Sequence, residues 1–225
     1  MARALLTGLA TSIAVGRAGV VWDEEDPSGD DYKRSGRLLL GGVVRGLGSG
    51  AIAVAIAAAS SWVTIDRGRP GLGALVSMVV AAATTVREEL LLRALPFHFA
   101  KRAGIDDRAT VVFATLLSPT PFLLAPGATP AAVALSLGFG FLSARLLSRT
   151  RSVWSSIGSS VAARIVLGPT LQTAVLAFGW QKGEATLSPL AAGAPAWIAA
   201  GIAALVGLVA VPRVTKLPKK KKKKT

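Results

Sequence analysis

Long runs of apolar residues, separated by short polar segments, dominate the chain. Residues 46–65 and 190–211 have no charged face at all, whereas a helix on the surface of a soluble domain has one. A helix that crosses a bilayer needs about 20 mostly apolar residues. The pattern therefore favours lipid as the solvent of these segments. The apolar runs fall at about 4–16, 38–65, 71–97, 109–125, 130–148, 153–180 and 190–212.

These runs predict an all-α fold, a polytopic transmembrane bundle of six or seven helices. Five runs are easily long enough to span a bilayer. The first is short enough to resemble the core of a signal peptide, so whether residues 4–16 cross the membrane stays open. Pro119 and Pro121 lie inside one run and Gly168-Pro169 inside another. Because proline interrupts helical hydrogen bonding, we expect those two helices to be kinked or broken.

The basic residues indicate which side of the membrane each polar segment faces. If all seven runs cross, eighteen lysines and arginines fall on one side and four on the other. Cytoplasmic segments carry the excess of positive charge, so the C-terminus is predicted to be cytoplasmic, with the chain in a plasma membrane of the bacterial inner-membrane type. The four remaining basic residues are arginines inside the apolar runs, where a charge needs a partner or access to the interface. The arginines inside the apolar runs are Arg45, Arg87, Arg93 and Arg164.

Composition narrows the possible chemistry. Cysteine is absent and His98 is the only histidine, which excludes thiolate sites and sites built on several histidines. We expect no cofactor and no metal. The net charge of +14 does not indicate nucleic acid, because eight of the 26 basic residues lie in the extreme C-terminal segment just beyond a predicted span. Such a tail suits anionic lipid as a partner, because each basic side chain near an anionic membrane surface contributes about 1 kcal/mol of binding free energy.

The predicted organisation has three parts. Residues 1–37 hold an apolar segment and an acidic cytoplasmic loop, residues 38–212 form the transmembrane helical domain, and residues 213–225 are a cytoplasmic polybasic tail. The acidic loop, 23–31, lacks the alternating oxygen ligands and fixed glycine of a calcium loop. It is interpreted as a solvated connection.

The most informative stretch is a charged cluster in the third run. Glu88, Glu89 and Arg93 continue directly from apolar residues, so two carboxylates and a guanidinium lie in an intramembrane helix. Glu89 and Arg93 are four residues apart and share a face, whereas Glu88 points about 100° away. If the helix leaves the bilayer near Phe97, Glu88 lies roughly 14 Å back from that point. Ionisable residues at this depth are candidates for a functional site, although a purely structural ion pair fits the spacing equally well.

The sequence Glu88-Glu89-Leu90-Leu91-Leu92-Arg93 resembles the Glu-Glu-x-x-x-Arg motif of the CPBP family, the CAAX-processing and bacteriocin-processing intramembrane proteases. The stretch of small residues 138–145, the basic turn 149–151 and the start of a helix at Trp154-Ser155-Ser156-Ile157 are similar to later parts of that family. The resemblance covers about residues 70–170. It implies an endopeptidase scaffold, with Glu88 and Glu89 activating water, Arg93 beside them, and a membrane protein or peptide as substrate.

Five positions depart from that family's pattern. The resemblance implies a histidine four residues after Phe113, but Leu117 stands there, and the other plausible register gives Pro121. A second histidine and an asparagine are implied at Ser160 and Arg164. The first motif also has Leu92 and Ala94 where the family usually has phenylalanine and glycine.

A guanidinium favours the ionised, weakly basic form of a neighbouring carboxylate, so Arg164 would quench a glutamate base. An intramembrane arginine in turn needs an acidic partner, and Glu88 or Glu89 is the nearest candidate. The leading hypothesis is therefore a protease-derived scaffold whose catalytic centre is a degenerate, inactive ion-pair cluster. The alternatives are an active protease of the same type and a membrane scaffold or transport-related protein.

Two further polar features are interpreted as structural. His98 is expected to lie near the membrane interface, and not to replace the missing histidines. Ser155, Ser156, Ser159 and Ser160 are expected to be helix-packing contacts, because no second base suited to a serine nucleophile is visible.

Overall fold

The structure, a computed structural model, describes residues 2–20, 31–61, 63–67, 71–124, 129–167, 176–180 and 194–209. Helices form in all seven apolar runs, so the predicted all-α helical bundle is confirmed. The acidic loop as far as residue 30, Gly168-Pro169 and the polybasic tail lie outside the described residues. The helices are α1 (Ala2–Arg17), α2 (Asp31–Ala59), α3 (Leu72–Glu89), α4 (Leu95–Arg102), α5 (Asp107–Leu117), α6 (Thr120–Leu123), α7 (Pro130–Thr150), α8 (Val153–Leu167) and α9 (Ala194–Val209).

Two helices in the described part of the chain are long and apolar enough to cross a membrane. They comprise Lys33–Ala59 in α2 and Pro130–Thr150 in α7, whereas α8 and α9 are apolar but shorter. Large apolar side chains are exposed on the outside of the bundle, including Leu40, Val76, Leu116 and Leu205. A surface of this kind is suited to contact with lipid.

The ends of two predicted helical runs form strands instead. Strand β1 (Val63–Arg67) pairs antiparallel with β2 (Leu176–Trp180), with Val63 opposite Trp180 and Arg67 opposite Leu176. The assignment of residues 63–65 and 176–180 to helices was therefore wrong. Val63, Thr64 and Ile65 are β-branched and favour extended backbone once a partner strand is available. An apolar run alone does not reveal such a partner.

Helix α2 packs directly on α8 through glycine. A Cβ atom on Gly42 would collide with the backbone carbonyl oxygen of Ser155, and one on Gly46 with that of Ser159. Gly158 of α8 makes the same close approach to the carbonyl oxygen of Leu39. Small residues four apart let two helix backbones touch, which is how helices associate in the absence of a hydrophobic driving force.

The contacts also give the relative directions of the helices. The residue numbers of α2 and α8 rise together along their interface, from Gly42 beside Ser155 to Gly50 beside Val166, so the two helices are parallel. The same holds for α7 and α9, where Gly138 meets Ala200 and Gly207 meets Leu142. If all seven runs cross the membrane in turn, every second run has the same direction. Helices α2 and α8 lie in the second and sixth runs, and α7 and α9 in the fifth and seventh, so each pair would then be parallel, as it is here. Which end is cytoplasmic stays a prediction.

Helices α3 and α4 form one continuous rod interrupted by a π-helical turn, Leu90–Ala94. The N–H of Leu95 bonds to the carbonyl oxygen of Leu90, five residues earlier. In a regular α-helix the ring of Pro96 would crowd the carbonyl of Leu92, and the wider turn before it relieves this conflict. The π turn carries Arg93 and follows Glu89 directly, so it lies at the predicted site.

The prolines in the fourth run have the predicted effect. Helix α5 ends at Leu117, and a separate short helix begins at Thr120. The break leaves Ser118 and Pro119 in a turn. Ser118 is buried there and points its hydroxyl toward the rod formed by α3 and α4, as described next.

Candidate functional site

Glu89 is the centre of a buried polar cluster. Its side chain is only 1% exposed, and three donors surround its carboxylate. Arg93 Nη1 and Ser160 Oγ each donate to Oε1 over 2.5 Å, and Ser156 Oγ donates to Oε2. Glu89 and Arg93 come from the same rod one turn apart, while both serines come from α8. A charged hydrogen-bond network therefore joins α8 to the rod.

Arg93 extends the cluster toward α5 and α7. Its Nη2 donates to Ser118 Oγ over 3.0 Å, and that hydroxyl donates to the carbonyl oxygen of Ala114 over 2.9 Å. From α7, Ser136 Oγ donates to the carbonyl oxygen of Ser118 over 2.8 Å. A Cβ atom on Gly140 would collide with the hydroxyl of Ser118, so glycine at 140 is what leaves room for this contact.

A second contact with α7 completes the inner cluster. Ser143 Oγ and Ser160 Oγ lie 2.7 Å apart, and either can be the donor. Because Ser160 uses its single proton toward Glu89, Ser143 is the donor in this pair. The rod and α8 thus contact the carboxylate directly, while α7 and the turn after α5 contact its partners. The cluster consists of Glu89, Arg93, Ser118, Ser143, Ser156 and Ser160.

Glu88 forms a separate ion pair on the adjacent face of α3. Arg164 Nη2 of α8 donates to Glu88 Oε2, and Arg87 Nη2 lies 3.9 Å from Oε1. The side chain of Glu88 is 13% exposed, while those of Arg164 and Arg87 are about one third exposed, at 33% and 35%. This pair is therefore closer to the surface of the bundle than the Glu89 cluster. Two guanidinium groups flank a single carboxylate.

Both ion pairs expected from the sequence are present. Glu89 pairs with Arg93 as the four-residue spacing predicts, and Arg164 reaches Glu88 as the need for an acidic partner predicts. The interpretation of the α8 serines as packing contacts was incomplete. Ser155 and Ser159 do lie against α2, but Ser156 and Ser160 donate to Glu89.

Ser118 was missed altogether. The family pattern directs attention to Leu117 and Pro121, whereas the hydroxyl that reaches Arg93 belongs to the residue after Leu117. The usable signal was a serine just before a proline at the end of a helix, where the broken helix turns inward. Its role depends on the close approach of this turn to Gly140 of α7, which no local pattern encodes.

His98 does not join this cluster in the described part of the chain. Its Nε2 is buried and has no hydrogen-bond partner among the described residues, and its ring packs edge-on against Phe99 at 5.6 Å between centroids. Burial, and then the positive charges of Arg102 and Lys101, lower the pKa of His98. Its imidazole is therefore neutral at neutral pH. It lies in α4, beyond the π turn and toward the basic end of that helix.

The described residues include no group of three or more His, Cys, Asp or Glu side chains arranged to hold a metal ion. Apolar cavities open elsewhere on the described part of the chain. One such cavity lies between α4 and α5, and another lies beside the start of α7 and includes Trp197. Neither cavity is lined by Glu88 or Glu89.

Comparison with protein families finds a match to part of the chain. Residues 70–166 match the family described as type II CAAX prenyl endopeptidase Rce1-like, over a region that includes both glutamates, Arg93, Ser160 and Arg164 but less than half of the chain. This agrees with the resemblance of residues 70–170 to the CAAX-processing proteases. No curated protein and no solved structure matches the chain.

Proposed function

We propose, from the similarity of residues 70–166 to the Rce1-like CAAX prenyl endopeptidases, that this integral membrane protein keeps an intramembrane-protease scaffold without peptidase activity. The observation that supports this most is the occupancy of the two glutamates. Glu89 is enclosed by an arginine and two serine hydroxyls, and Glu88 is bound by Arg164. In this proposal the former catalytic centre holds helices together.

A glutamate that acts as a general base must accept a proton from a water molecule within hydrogen-bond reach. The oxygens of Glu89 already accept three hydrogen bonds, and the side chain is 1% exposed. A serine hydroxyl donates to each carboxylate oxygen and so takes the position that an attacking water molecule would need. Glu88 has the same difficulty beside Arg164.

The residues at the positions implied for the family's later motifs support the same conclusion. Ser160 stands where the resemblance implies a histidine and Arg164 where it implies an asparagine, and each contacts a glutamate. Neither a serine hydroxyl nor a guanidinium exchanges protons readily near neutral pH. Each lost donor to a developing oxyanion raises the barrier by roughly 3–4 kcal/mol.

The partners of the glutamates also distinguish this proposal from an active protease. Among the residues that the structure describes, hydrogen bonds to Glu88 and Glu89 come from arginine and serine, and none comes from histidine, asparagine or tyrosine. An active member would need a group able to orient water next to a carboxylate. The described contacts supply charge neutralisation instead.

A proteolysis assay tests the proposal directly. The native chain and the double variant Glu88→Gln/Glu89→Gln are reconstituted in liposomes with a transmembrane reporter that carries a C-terminal CAAX peptide. We expect no cleavage by either protein after prolonged incubation. An active CAAX-type protease in the same vesicles is the positive control for reporter and lipid. Cleavage by the native chain that disappears in the glutamine variant would establish a working protease and refute the proposal.

The structural role of the Glu88 pair predicts a measurable loss of stability. Replacing Arg164 by alanine removes the partner of Glu88 and should lower stability by about 1–2 kcal/mol, less than for a fully buried pair because Arg164 is one third exposed. The readout is the midpoint of thermal unfolding in detergent. Arg37→Ala, at an exposed position near the start of α2, is the matched control. Equal midpoints for the two variants would contradict a structural role for Arg164.

A further inference from the structure

The cavity between α4 and α5 has no role in the function proposed above. Its volume is about 530 Å³, within the usual range of about 300–1,000 Å³ for ligand pockets. Its walls are almost entirely apolar, and Thr110 is the one residue with a polar side chain among those that line it. The lining includes Leu95, Pro96, Phe99, Ile105, Ala109 and Phe113.

Basic side chains follow this apolar lining directly along the chain. Lys101 and Arg102 come immediately after the lining residue Ala100, in the last turn of α4, and Arg108 immediately precedes the lining residue Ala109 in the first turn of α5. All three basic residues are exposed. The cavity therefore has an apolar interior with positive charge beside it.

The two nearby aspartates do not cancel this charge. Asp107 is already paired with Arg151, whose Nη2 lies 2.5 Å from Asp107 Oδ2. Asp106 caps α5 by accepting a hydrogen bond from the backbone N–H of Arg108 over 3.0 Å. With Asp107 matched to Arg151, Arg102 and Arg108 lie near the single carboxylate of Asp106 among the residues that the structure describes at this end of the cavity, which leaves a net positive charge there.

We propose that this cavity binds one acyl chain of an anionic phospholipid, whose phosphate lies on Arg102 and Arg108. The walls fit a hydrocarbon chain, and Phe99, Ile105 and Phe113 are each more than half exposed, so the cavity opens to the surroundings of the bundle. An anionic phospholipid has a long apolar chain and a negatively charged head, which complement the apolar cavity and the basic residues beside it. The site would be a lipid site distinct from the glutamate cluster.

The full chain in detergent is titrated with phosphatidylglycerol and with phosphatidylcholine of the same acyl composition, and bound lipid is counted by native mass spectrometry. We expect phosphatidylglycerol to bind more tightly. Each of Arg102→Gln and Arg108→Gln should weaken its binding roughly fivefold, since one basic group near a lipid head is worth about 1 kcal/mol. Arg37→Gln, an exposed arginine on α2, should leave binding unchanged.

A second pair of variants separates the cavity from the surface charge. Ala109→Trp places a large side chain at the cavity wall and should reduce retention of both lipids, while Ala55→Trp, at an exposed position of α2, should not. Equal affinity for the two lipids, or no effect of Ala109→Trp, would overturn the proposal. Displacement of the phospholipid by equimolar farnesol would overturn it too, because it would identify an isoprenoid as the preferred occupant. None of these outcomes depends on whether the glutamates are active.

Discussion

Replacing Arg93 by methionine should lower the midpoint of thermal unfolding in detergent by roughly 6 °C or more. Methionine keeps most of the volume of the side chain but removes the guanidinium, so the buried carboxylate of Glu89 is left with two serine donors and no counter-charge. Breaking a buried ion pair in this way costs about 3–5 kcal/mol. For a chain of this length, 1 kcal/mol corresponds to about 2–4 °C.

A double variant tests whether the loss comes from the stranded charge. In Glu89→Met/Arg93→Met no unpaired carboxylate is left, and Ser156 and Ser160 can turn their hydroxyls to backbone carbonyls one turn earlier. We therefore expect the double variant to be more stable than Arg93→Met alone. A single variant as stable as the native chain at neutral pH would show that the pair is not needed for the fold.

Replacing Gly46 by alanine should destabilise the bundle by about 1–3 kcal/mol or more, from a single added methyl group. The new Cβ would collide with the carbonyl oxygen of Ser159, and a backbone atom cannot move aside as a flexible side chain does. Helix α8 would have to shift away from α2. Since Ser160 follows Ser159 directly, the hydrogen bond from Ser160 to Glu89 would be disturbed as well.

Gly48 on the same helix provides a matched control. A Cβ atom at Gly48 would meet nothing within 4 Å, so Gly48→Ala should be neutral or slightly stabilising through the better helix propensity of alanine. The two variants have identical composition, and their unfolding midpoints in detergent can be compared directly. Similar midpoints would mean that α2 and α8 do not pack through these glycines.

Much of the fold follows from the sequence because lipid imposes simple rules on it. Apolar runs of sufficient length predict helices, and helices formed in every one of the seven runs. The pairing of β1 with β2 did not follow, because it joins residues more than a hundred positions apart, and an apolar stretch such as Leu176–Trp180 suits a helix or a strand. The π turn at Leu90–Ala94 could not be predicted either, because Pro96 is the one residue there that indicates an irregular helix.

The candidate site was likewise predicted from the sequence only in part. The Glu89–Arg93 pair is local, so its spacing was enough to predict it. The pair of Arg164 with Glu88 depends on a contact between helices that are distant in the sequence. A pair with Glu88 or Glu89 was predicted because a charge within the membrane requires a counter-charge, but the choice between the two glutamates was left open. Hydroxyl groups carry no such requirement. Ser118, Ser143 and Ser156 could therefore not be assigned to the cluster before the rotation of each helix was known.

The close approach of α2 to α8 has a consequence for dissecting this protein. Helix α2 ends before residue 70, outside the region that matches the endopeptidase family, yet it touches the backbone of α8 between the two serines that hold Glu89. A truncated polypeptide limited to residues 70–166 would lose the packing of α2 on α8 and leave that side of α8 open to solvent or detergent. A shortened protein that keeps the whole contact between α2 and α8 therefore has to begin no later than Leu39, well before the segment that matches the family.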